Sequence, residues 1–150
     1  MIGYIIILVI GVVLLVVFGR NVIRGRASQN WPTVPGTVLY TGMETYESTD
    51  DDGSITTTYG ATIQYNYAVA GQSLEGNRRT FTDVRTSSRR RAEQILAKYP
   101  QGSAISVYYD PENPTESVLE TGVSWSAYAL LALAAIMIVA GVAGVLGLFG

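Results

Sequence analysis

The chain has 150 residues, with 10 Lys and Arg against 12 Asp and Glu, and it contains neither histidine nor cysteine. The lack of cysteine excludes disulfides, thiolate nucleophiles and thiolate metal sites, and the lack of histidine removes the usual general base and the commonest transition-metal ligand. Every charged side chain lies between Arg20 and Glu120. This distribution predicts an apolar segment at each end and a polar domain between them.

The first apolar segment is MIGYIIILVIGVVLLVVFG, whose 19 residues come close to the ~20 that a helix needs to cross a bilayer core. A cleaved signal peptide is the alternative interpretation. Such a peptide carries its basic residues before the apolar run, whereas here Arg20, Arg24 and Arg26 follow it. We therefore predict a transmembrane helix over residues 1–23.

Alternating side chains predict the strands of a β-rich soluble domain over residues 24–122. The run ATIQYNYAV alternates between apolar and polar residues, which is typical of a strand with one buried face. Upstream, GTVLYTGMETYES is rich in β-forming residues, and the polar TDDDGS after it predicts a hairpin with residues 50–53 at its tip. Downstream, AGQ followed by SLEGNRRTF predicts a second hairpin. The residues expected on the buried face of the central strand are Ile63, Tyr65, Tyr67 and Val69.

One amphipathic helix is predicted after these strands, in SSRRRAEQILAKYPQG, with Pro100 and Gly102 as its stop. The run AISVYY then returns to strand, DPENP turns, and SVLE forms a short final strand. The apolar face of the helix consists of Ala92, Ile95, Leu96 and Tyr99. The fold class predicted is a membrane-anchored, β-rich α+β protein, with a small antiparallel sheet, sandwich or barrel-like, and one amphipathic helix between two transmembrane helices.

The second transmembrane helix is predicted over residues 123–150, with Trp125 and Tyr128 where an interfacial aromatic belt would lie. Small residues recur near its end and favour close packing against the first span or against a second copy of the chain. These helix-packing candidates are Ala140, Gly141, Gly144 and Gly147.

Three segments of the middle domain carry a resemblance. In order they are WPTVPGTV, YGATIQYNYAVAGQSLEGNRRTF and YPQGSAISVYYDPENPTESVLETG. Their spaced Tyr, Gly and Asp-Pro pattern resembles the membrane-associated family called domain of unknown function 3592, over residues 31–122. The resemblance implies a small β-rich domain commonly flanked by transmembrane helices, and it implies no activity.

Two acidic stretches contain carboxylates that could serve as metal ligands. A calcium loop needs oxygens at a regular short spacing around a glycine, which DPENPTE lacks, and its Asp-Pro and Asn-Pro pairs favour a turn. The DDDG tip holds consecutive carboxylates, but neighbouring strand residues point in alternate directions, which favours a solvated tip. We predict no metal, no cofactor and no catalytic residue.

The basic segment RRTFTDVRTSSRRR is the clearest binding signal, with six arginines and a single Asp. It favours contact with anionic lipid headgroups or with an acidic partner surface. The alternative is a solvated face balanced by Asp83 and Glu93. Nucleic acid is not an expected partner, because the chain is net acidic and holds no recognised binding motif. The candidate contact residues are Arg78, Arg79, Arg85, Arg89, Arg90 and Arg91.

Two classes of function follow. The first is a non-enzymatic, membrane-tethered β-domain that binds a protein partner, associates with itself or organises a membrane complex, and the second is an accessory or sensor subunit that reads anionic lipid. An enzyme is the third reading, disfavoured because only carboxylates, tyrosines and one lysine, Lys98, are present for acid and base chemistry. The arginines after the first span favour an integral protein of the plasma (inner) membrane, with the domain in the cytoplasm and both termini outside.

Overall fold

The computed structural model describes residues 2–83 and 85–147. The helices are α1 (Ile2–Ala27), which continues into a short 3-10 turn at Ser28–Asn30, α2 (Arg89–Ala97) and α3 (Trp125–Val145). The strands are β1 (Thr33–Thr49), β2 (Ile55–Val69), β3 (Gln72–Gly76), β4 (Ala104–Tyr109) and β5 (Ser117–Val118). These five strands form one antiparallel sheet in the order β3-β2-β1-β4-β5.

The hairpin of β1 and β2 confirms the first hairpin prediction. The strands pair up to Thr49 opposite Ile55, and the acidic tip turns between them through Gly53, whose φ of +82° suits glycine. The predicted alternation in β2 is also confirmed, because Ile63, Tyr65 and Tyr67 are all buried and the residues between them are not. The central strand therefore has one covered and one uncovered face.

A β-bulge at Leu39 interrupts β1. Val38 pairs with Tyr65 and Tyr40 with Gln64, so that Leu39 has no partner on β2. One extra residue reverses which side chains face the core along the rest of the strand. Val38 is consequently buried, whereas Tyr40 lies 49% exposed on the opposite face.

The second predicted hairpin forms, but its outer strand is shorter than expected. The turn at Ala70 and Gly71 has positive φ at both residues, and β3 then ends at Gly76. The rest of the predicted strand, from Arg78 to Phe81, leaves the sheet and crosses its buried face, where the Arg78 carbonyl accepts a hydrogen bond of 2.9 Å from the Tyr65 hydroxyl. This crossing gives the buried Tyr65 hydroxyl a carbonyl acceptor in addition to its hydrogen bond with the Ser117 hydroxyl at 3.0 Å.

The expectation of a sandwich or barrel-like closure is wrong for the described residues, because the five strands form a single open sheet. β5 has only two residues and cannot begin a second layer of strands. The core is covered instead by α2 and by Leu119, which pack on Val38, Ile63 and Val107. The physical reason is that a sheet with one apolar face needs only one layer to cover that face. Here a helix and two crossing segments supply that layer.

Ser88 caps the N-terminus of helix α2, and its hydroxyl accepts the Arg91 backbone N–H at 3.4 Å. Three arginines in its first turn oppose the helix dipole, so the cap and the packing of Ile95 and Leu96 on the core stabilise it instead. Its last turn is tied to the sheet, since the Thr41 hydroxyl donates to the Tyr99 carbonyl at 2.6 Å.

Helices α1 and α3 pack against each other as an antiparallel pair. Both contain windows long and apolar enough to cross a membrane, with mean hydropathies of 3.1 and 2.4, and only 6% and 11% of those windows are buried. Core helices of a soluble protein would be mostly buried, so these two present their apolar surface outward. α1 is longer than its predicted span of residues 1–23, and it carries Arg20, Arg24 and Arg26 in its last two turns.

The α1 and α3 pair joins the sheet domain through a close backbone contact. The Gly122 N–H donates to the Gly25 carbonyl at 3.0 Å, and the fully buried Ser28 hydroxyl donates to the same carbonyl at 2.7 Å. A Cβ at Gly25 would approach the Gly122 oxygen to 2.7 Å, so only glycine fits there. Arg24 adds an ion pair with Glu116 at 3.3 Å.

Candidate functional site

An open cleft of about 620 Å³ lies where the sheet domain meets the start of α3. One wall is α2, the second is formed by residues 79–83 and 85–86, and the third is the strap of residues 120–126 that leads into α3. The elements that cover the core therefore also build the cleft.

The α2 wall is a stripe of residues at helical spacing. Ile95 is half-buried at its base, and Arg91, Gln94 and Lys98 are exposed around it. Within the described part of the chain, neither Arg91 nor Lys98 makes a salt bridge. Two uncompensated cations thus face the cleft from one helix.

The second wall is organised by Arg79, whose side chain is only 15% exposed. Its guanidinium binds Asp83 through two hydrogen bonds and Glu120 at 2.7 Å. Glu120 also accepts a hydrogen bond of 2.6 Å from the Tyr99 hydroxyl. Burial lowers the pKa of Arg79, but the bonds to Asp83 and Glu120 more than offset this, so its pKa lies above the ordinary value and it stays charged.

The same network acts on Tyr99. Burial raises the pKa of this phenol, and the hydrogen bond to Glu120 raises it further. A catalytic acid or base needs a pKa near the working pH, and Tyr99 is shifted in the opposite direction. The network therefore fixes the wall of the cleft and holds its two carboxylates in place.

The third wall is the beginning of α3. The Ser124 N–H donates to the Thr82 hydroxyl at 3.1 Å, which ties the strap to the second wall. No side chain caps the helix, and the hydroxyl oxygens of Ser124 and Ser126 lie 2.8 Å apart. Trp125, between them, is 80% exposed. This wall presents hydroxyls and an exposed indole, at the point where the apolar helix begins.

The structure separates the six candidate arginines into two groups. Arg79, Arg85 and Arg91 border the cleft, although the Arg85 guanidinium lies 3.6 Å above the ring of Tyr46.

The other three arginines lie outside the cleft. Arg89 forms a salt bridge with Glu93 at 3.0 Å, and Arg90 is exposed. Arg78 lies 4.9 Å from the Phe81 ring centre and 3.7 Å from Glu116. Sequence reasoning did not place Gln94, Lys98 or Trp125 at this site, although Lys98 follows Arg91 by two helical turns and could have been found from that spacing.

In both acidic stretches, carboxylates accept hydrogen bonds within their own turns. Asp50 accepts hydrogen bonds from the Ser54 and Thr56 hydroxyls, and Asp52 accepts the Ser54 backbone N–H at 2.9 Å. That bond lowers the pKa of Asp52. Asp110 accepts the Glu112 N–H at 2.9 Å. Among residues 2–83 and 85–147, no group of three or more carboxylates could hold a metal ion.

A second polar cluster lies on the uncovered face of the sheet. Glu44 accepts hydrogen bonds from the Tyr46 hydroxyl and from Thr62 at 2.7 Å, and these bonds lower its pKa. Arg85 lies over Tyr46 in the same cluster. The polar groups of this cluster are bonded to one another, so the cluster is not a candidate binding site for a small ligand.

The small residues near the end of α3 have different environments. A Cβ at Gly141 would lie 2.7 Å from the Leu8 Cβ of α1, and Gly144 lies against the ring of Tyr4. Ala140 is half-buried, and Gly147 follows the helix as an exposed residue with a φ of +74°. Two of these four residues therefore lie directly against α1.

Comparison with known proteins gives a family. No curated protein matches the sequence. Residues 34–124 match a family described as a domain of unknown function, DUF3592, and this segment includes the sheet except for Thr33 of β1, together with α2 and the strap up to Ser124. The match covers more than half of the chain. The chain therefore belongs to the DUF3592 family.

Proposed function

We propose that the protein is a non-enzymatic, membrane-anchored binding module whose cleft reads anionic groups at the bilayer surface. The observation that carries the proposal is the position of Arg91 and Lys98, which lack salt bridges within the described residues and face a cleft bordered by Trp125. The apolar surfaces of α1 and α3 support anchoring by two membrane spans.

The length of α3 indicates where the cleft lies relative to the membrane. Its 21 residues extend about 32 Å, close to the ~30 Å of a hydrocarbon core. A span of this length brings Trp125 to the interface, where tryptophan is favoured, and brings the cleft to the level of the headgroups. Each base near an anionic surface adds about 1 kcal/mol of attraction.

A binding role agrees better with the cleft than catalysis does. Asp83 and Glu120, its two carboxylates, are both bonded to Arg79, and the pKa of Tyr99 is raised. Neither arrangement provides a free general base at neutral pH. We accordingly propose that the protein is not an enzyme and needs no cofactor.

Lys98 offers a direct test, because it is the only lysine of the chain. The full chain would be reconstituted into neutral and into anionic liposomes, and acylation of Lys98 by an amine reagent would be followed by peptide mass spectrometry. We expect slower acylation in anionic liposomes, with the difference removed by salt. The Arg91→Gln variant should reduce the protection, and the Arg90→Gln variant should not. Equal acylation rates in both kinds of liposome would refute the proposal that the cleft binds anionic groups.

A protein partner is the second candidate, because the uncovered face of the sheet is available for binding. Tyr40 is 49% exposed on it and Leu39 is 38% exposed at the bulge. Extraction in mild detergent should then yield a reproducible larger complex that the Tyr40→Ser variant loses. A complex that survives this change would place the contact elsewhere, and a lone chain under every mild condition would count against a partner.

We also propose that the sheet domain lies in the cytoplasm and that both termini lie outside the plasma membrane. Arg20, Arg24 and Arg26 follow the apolar part of α1 and would bias that side inward. Because the chain has no cysteine, a Ser54→Cys variant would carry a single thiol at the exposed hairpin tip. An impermeant maleimide should label it only after cell lysis. Labelling of intact cells would place the domain outside.

A further inference from the structure

The charges around the cleft identify a narrower ligand class than anionic surfaces in general. Four bases and two acids border the cleft, but Arg85 lies over Tyr46 in the Glu44 cluster, and Arg79 is bonded to both acids. The two cations that make no salt bridge among the described residues are Arg91 and Lys98. The two acids are both bonded to Arg79 and are unavailable to a ligand cation. The bases are Arg79, Arg85, Arg91 and Lys98, and the acids are Asp83 and Glu120.

From this balance we infer that the cleft binds a phosphomonoester, the dianionic group at the head of phosphatidic acid. The inference rests on the proposed function and deepens it. A phosphomonoester carries about −1.5 to −2 charges at neutral pH and matches the charges of Arg91 and Lys98, whereas a phosphodiester carries one charge and leaves one of these cations unmatched.

The donors around the cleft fit the same group. Arg91 and Lys98 supply charged N–H donors from α2, and Gln94 supplies an amide between them. Ser124 and Ser126 add hydroxyls from the opposite wall. A phosphomonoester has three terminal oxygens to accept these bonds, one more than the two of a diester.

The position of the cleft indicates how a lipid would enter. Trp125 is the first residue of the apolar helix and also borders the cleft. A headgroup between α2 and the strap therefore lies directly above the outward surface of α3, where the acyl chains would continue. A soluble phosphomonoester offers the same head chemistry without that contact.

Trp125 also provides the readout. The chain has two tryptophans, and a Trp31→Phe change keeps an aromatic ring against Phe81, which Trp31 contacts edge-on at 5.5 Å. Trp125 is then the only indole. The full-length Trp31→Phe chain would be held in neutral phosphocholine micelles and titrated with phosphatidic acid or with phosphatidylglycerol, and Trp125 emission would be recorded. Native mass spectrometry of the unchanged chain gives an independent measure of retained lipid.

We expect a saturable response to phosphatidic acid at about fivefold lower mole fraction than to phosphatidylglycerol, because one charge pair is lost with the diester. Changing both Arg91→Gln and Lys98→Gln should weaken phosphatidic acid binding by about tenfold or more. The matched Arg90→Gln change, on the same helix but outside the cleft, should alter it by less than about twofold. Circular dichroism of each variant checks that the fold is kept.

Separate arms identify the source of the phosphate. If inorganic phosphate or glycerol 3-phosphate displaces the lipid at millimolar concentration, the site takes a soluble phosphomonoester. If neither competes, the lipid is the ligand. Equal responses to the two lipids would overturn the phosphomonoester inference but would still agree with a cleft that binds anionic groups in general. No response to either anionic lipid, with Lys98 acylation unchanged, would overturn both.

Discussion

The two faces of the sheet differ in what covers them, and the difference separates stability from surface chemistry. On one face, Ile63 and Tyr65 are almost completely buried beneath α2 and the crossing segments. On the other, Thr62 and Glu44 form a polar cluster that nothing among the described residues covers. Neighbours along a single strand therefore have unrelated roles, and substitutions one residue apart should have very different effects.

The covered face also differs from the uncovered face in its relation to the cleft. Tyr99 reaches Glu120 from the end of α2, and Arg79 reaches Glu120 from the crossing segment. Both elements cover the core and border the cleft. Changes on the covered face are therefore expected to reach the cleft, and changes on the uncovered face are expected to spare it.

The largest effect is expected for Ile63→Asp, which puts an unpaired carboxylate at a position 1% exposed. Burial of an uncompensated charge should unfold the sheet domain, a loss of more than about 4 kcal/mol. The measurement is thermal unfolding of the full chain in detergent, followed by circular dichroism. A cooperative transition near that of the natural sequence would show that the assignment of the two faces is wrong.

The next effect should appear at alkaline pH through Tyr65. Burial raises its pKa to about 12, from about 10 in an unfolded chain. Below pH 10 both states keep the proton and the contribution is complete, and between pH 10 and 12 only the unfolded state releases it. Stability should therefore fall over this interval by about 2 to 3 kcal/mol. Melting temperatures across the interval measure the loss.

A Tyr65→Phe variant sharpens the alkaline test. Without the phenol, the fall between pH 10 and 12 should be smaller, although Tyr99, whose pKa is also raised, keeps part of it. At neutral pH the variant loses the hydrogen bonds to Ser117 and to the Arg78 carbonyl, at a cost of about 1 kcal/mol. An unchanged alkaline slope would mean that Tyr65 does not control this loss.

A smaller effect is expected where α2 meets the covered face. Leu96 is half-buried there, so Leu96→Ala should cost about 1 to 2 kcal/mol, less than the 2 to 5 typical of a complete cavity. Chemical denaturation of the variant and the natural sequence in the same detergent measures the difference. A cost below about 0.5 kcal/mol would make α2 peripheral to the core.

The smallest effect is expected on the uncovered face. Thr62→Asp removes a hydrogen bond to Glu44 and brings a second carboxylate near it, but the site is open to solvent. We expect a change within about 1 kcal/mol, and a response to anionic lipid equal to that of the natural sequence if the proposed binding occurs. If this variant unfolds as Ile63→Asp does, the two faces do not differ in the way described.

Local patterns were sufficient to predict much of this architecture. The alternation around Ile63, the acidic tip near Gly53 and the helical spacing of Ile95 and Leu96 all predicted the observed elements, because each depends on residues close in sequence. The family was also identified from its spaced motifs. The open form of the sheet was not predicted, because closure depends on how distant strands meet.

Other features left no local signal. Leu39 is a good strand residue, and nothing in its neighbours marks the bulge that turns Tyr40 away from the core. The cleft could not be predicted because its walls come from α2, from the segment after β3 and from the start of α3, which are separated by many residues. The sequence did highlight the arginine-rich segment, but only the fold separates Arg91, in the cleft, from Arg90, outside it.

The outer half of the β1 and β2 hairpin has a consequence for how this family can vary. β4 pairs with β1 only from Thr33 to Thr37, and the tip closes on itself through Asp50 and Ser54. Beyond the bridge that joins Tyr59 to Thr86 of the cleft wall, residues 47–49 and 55–57 therefore form an arm whose length is set by neither the core nor the cleft. Removing two residues from each strand would shorten this arm by about 7 Å and keep every remaining side chain on its own face. The arm is thus an adjustable spacer, able to carry the same acidic tip at different distances from the same base.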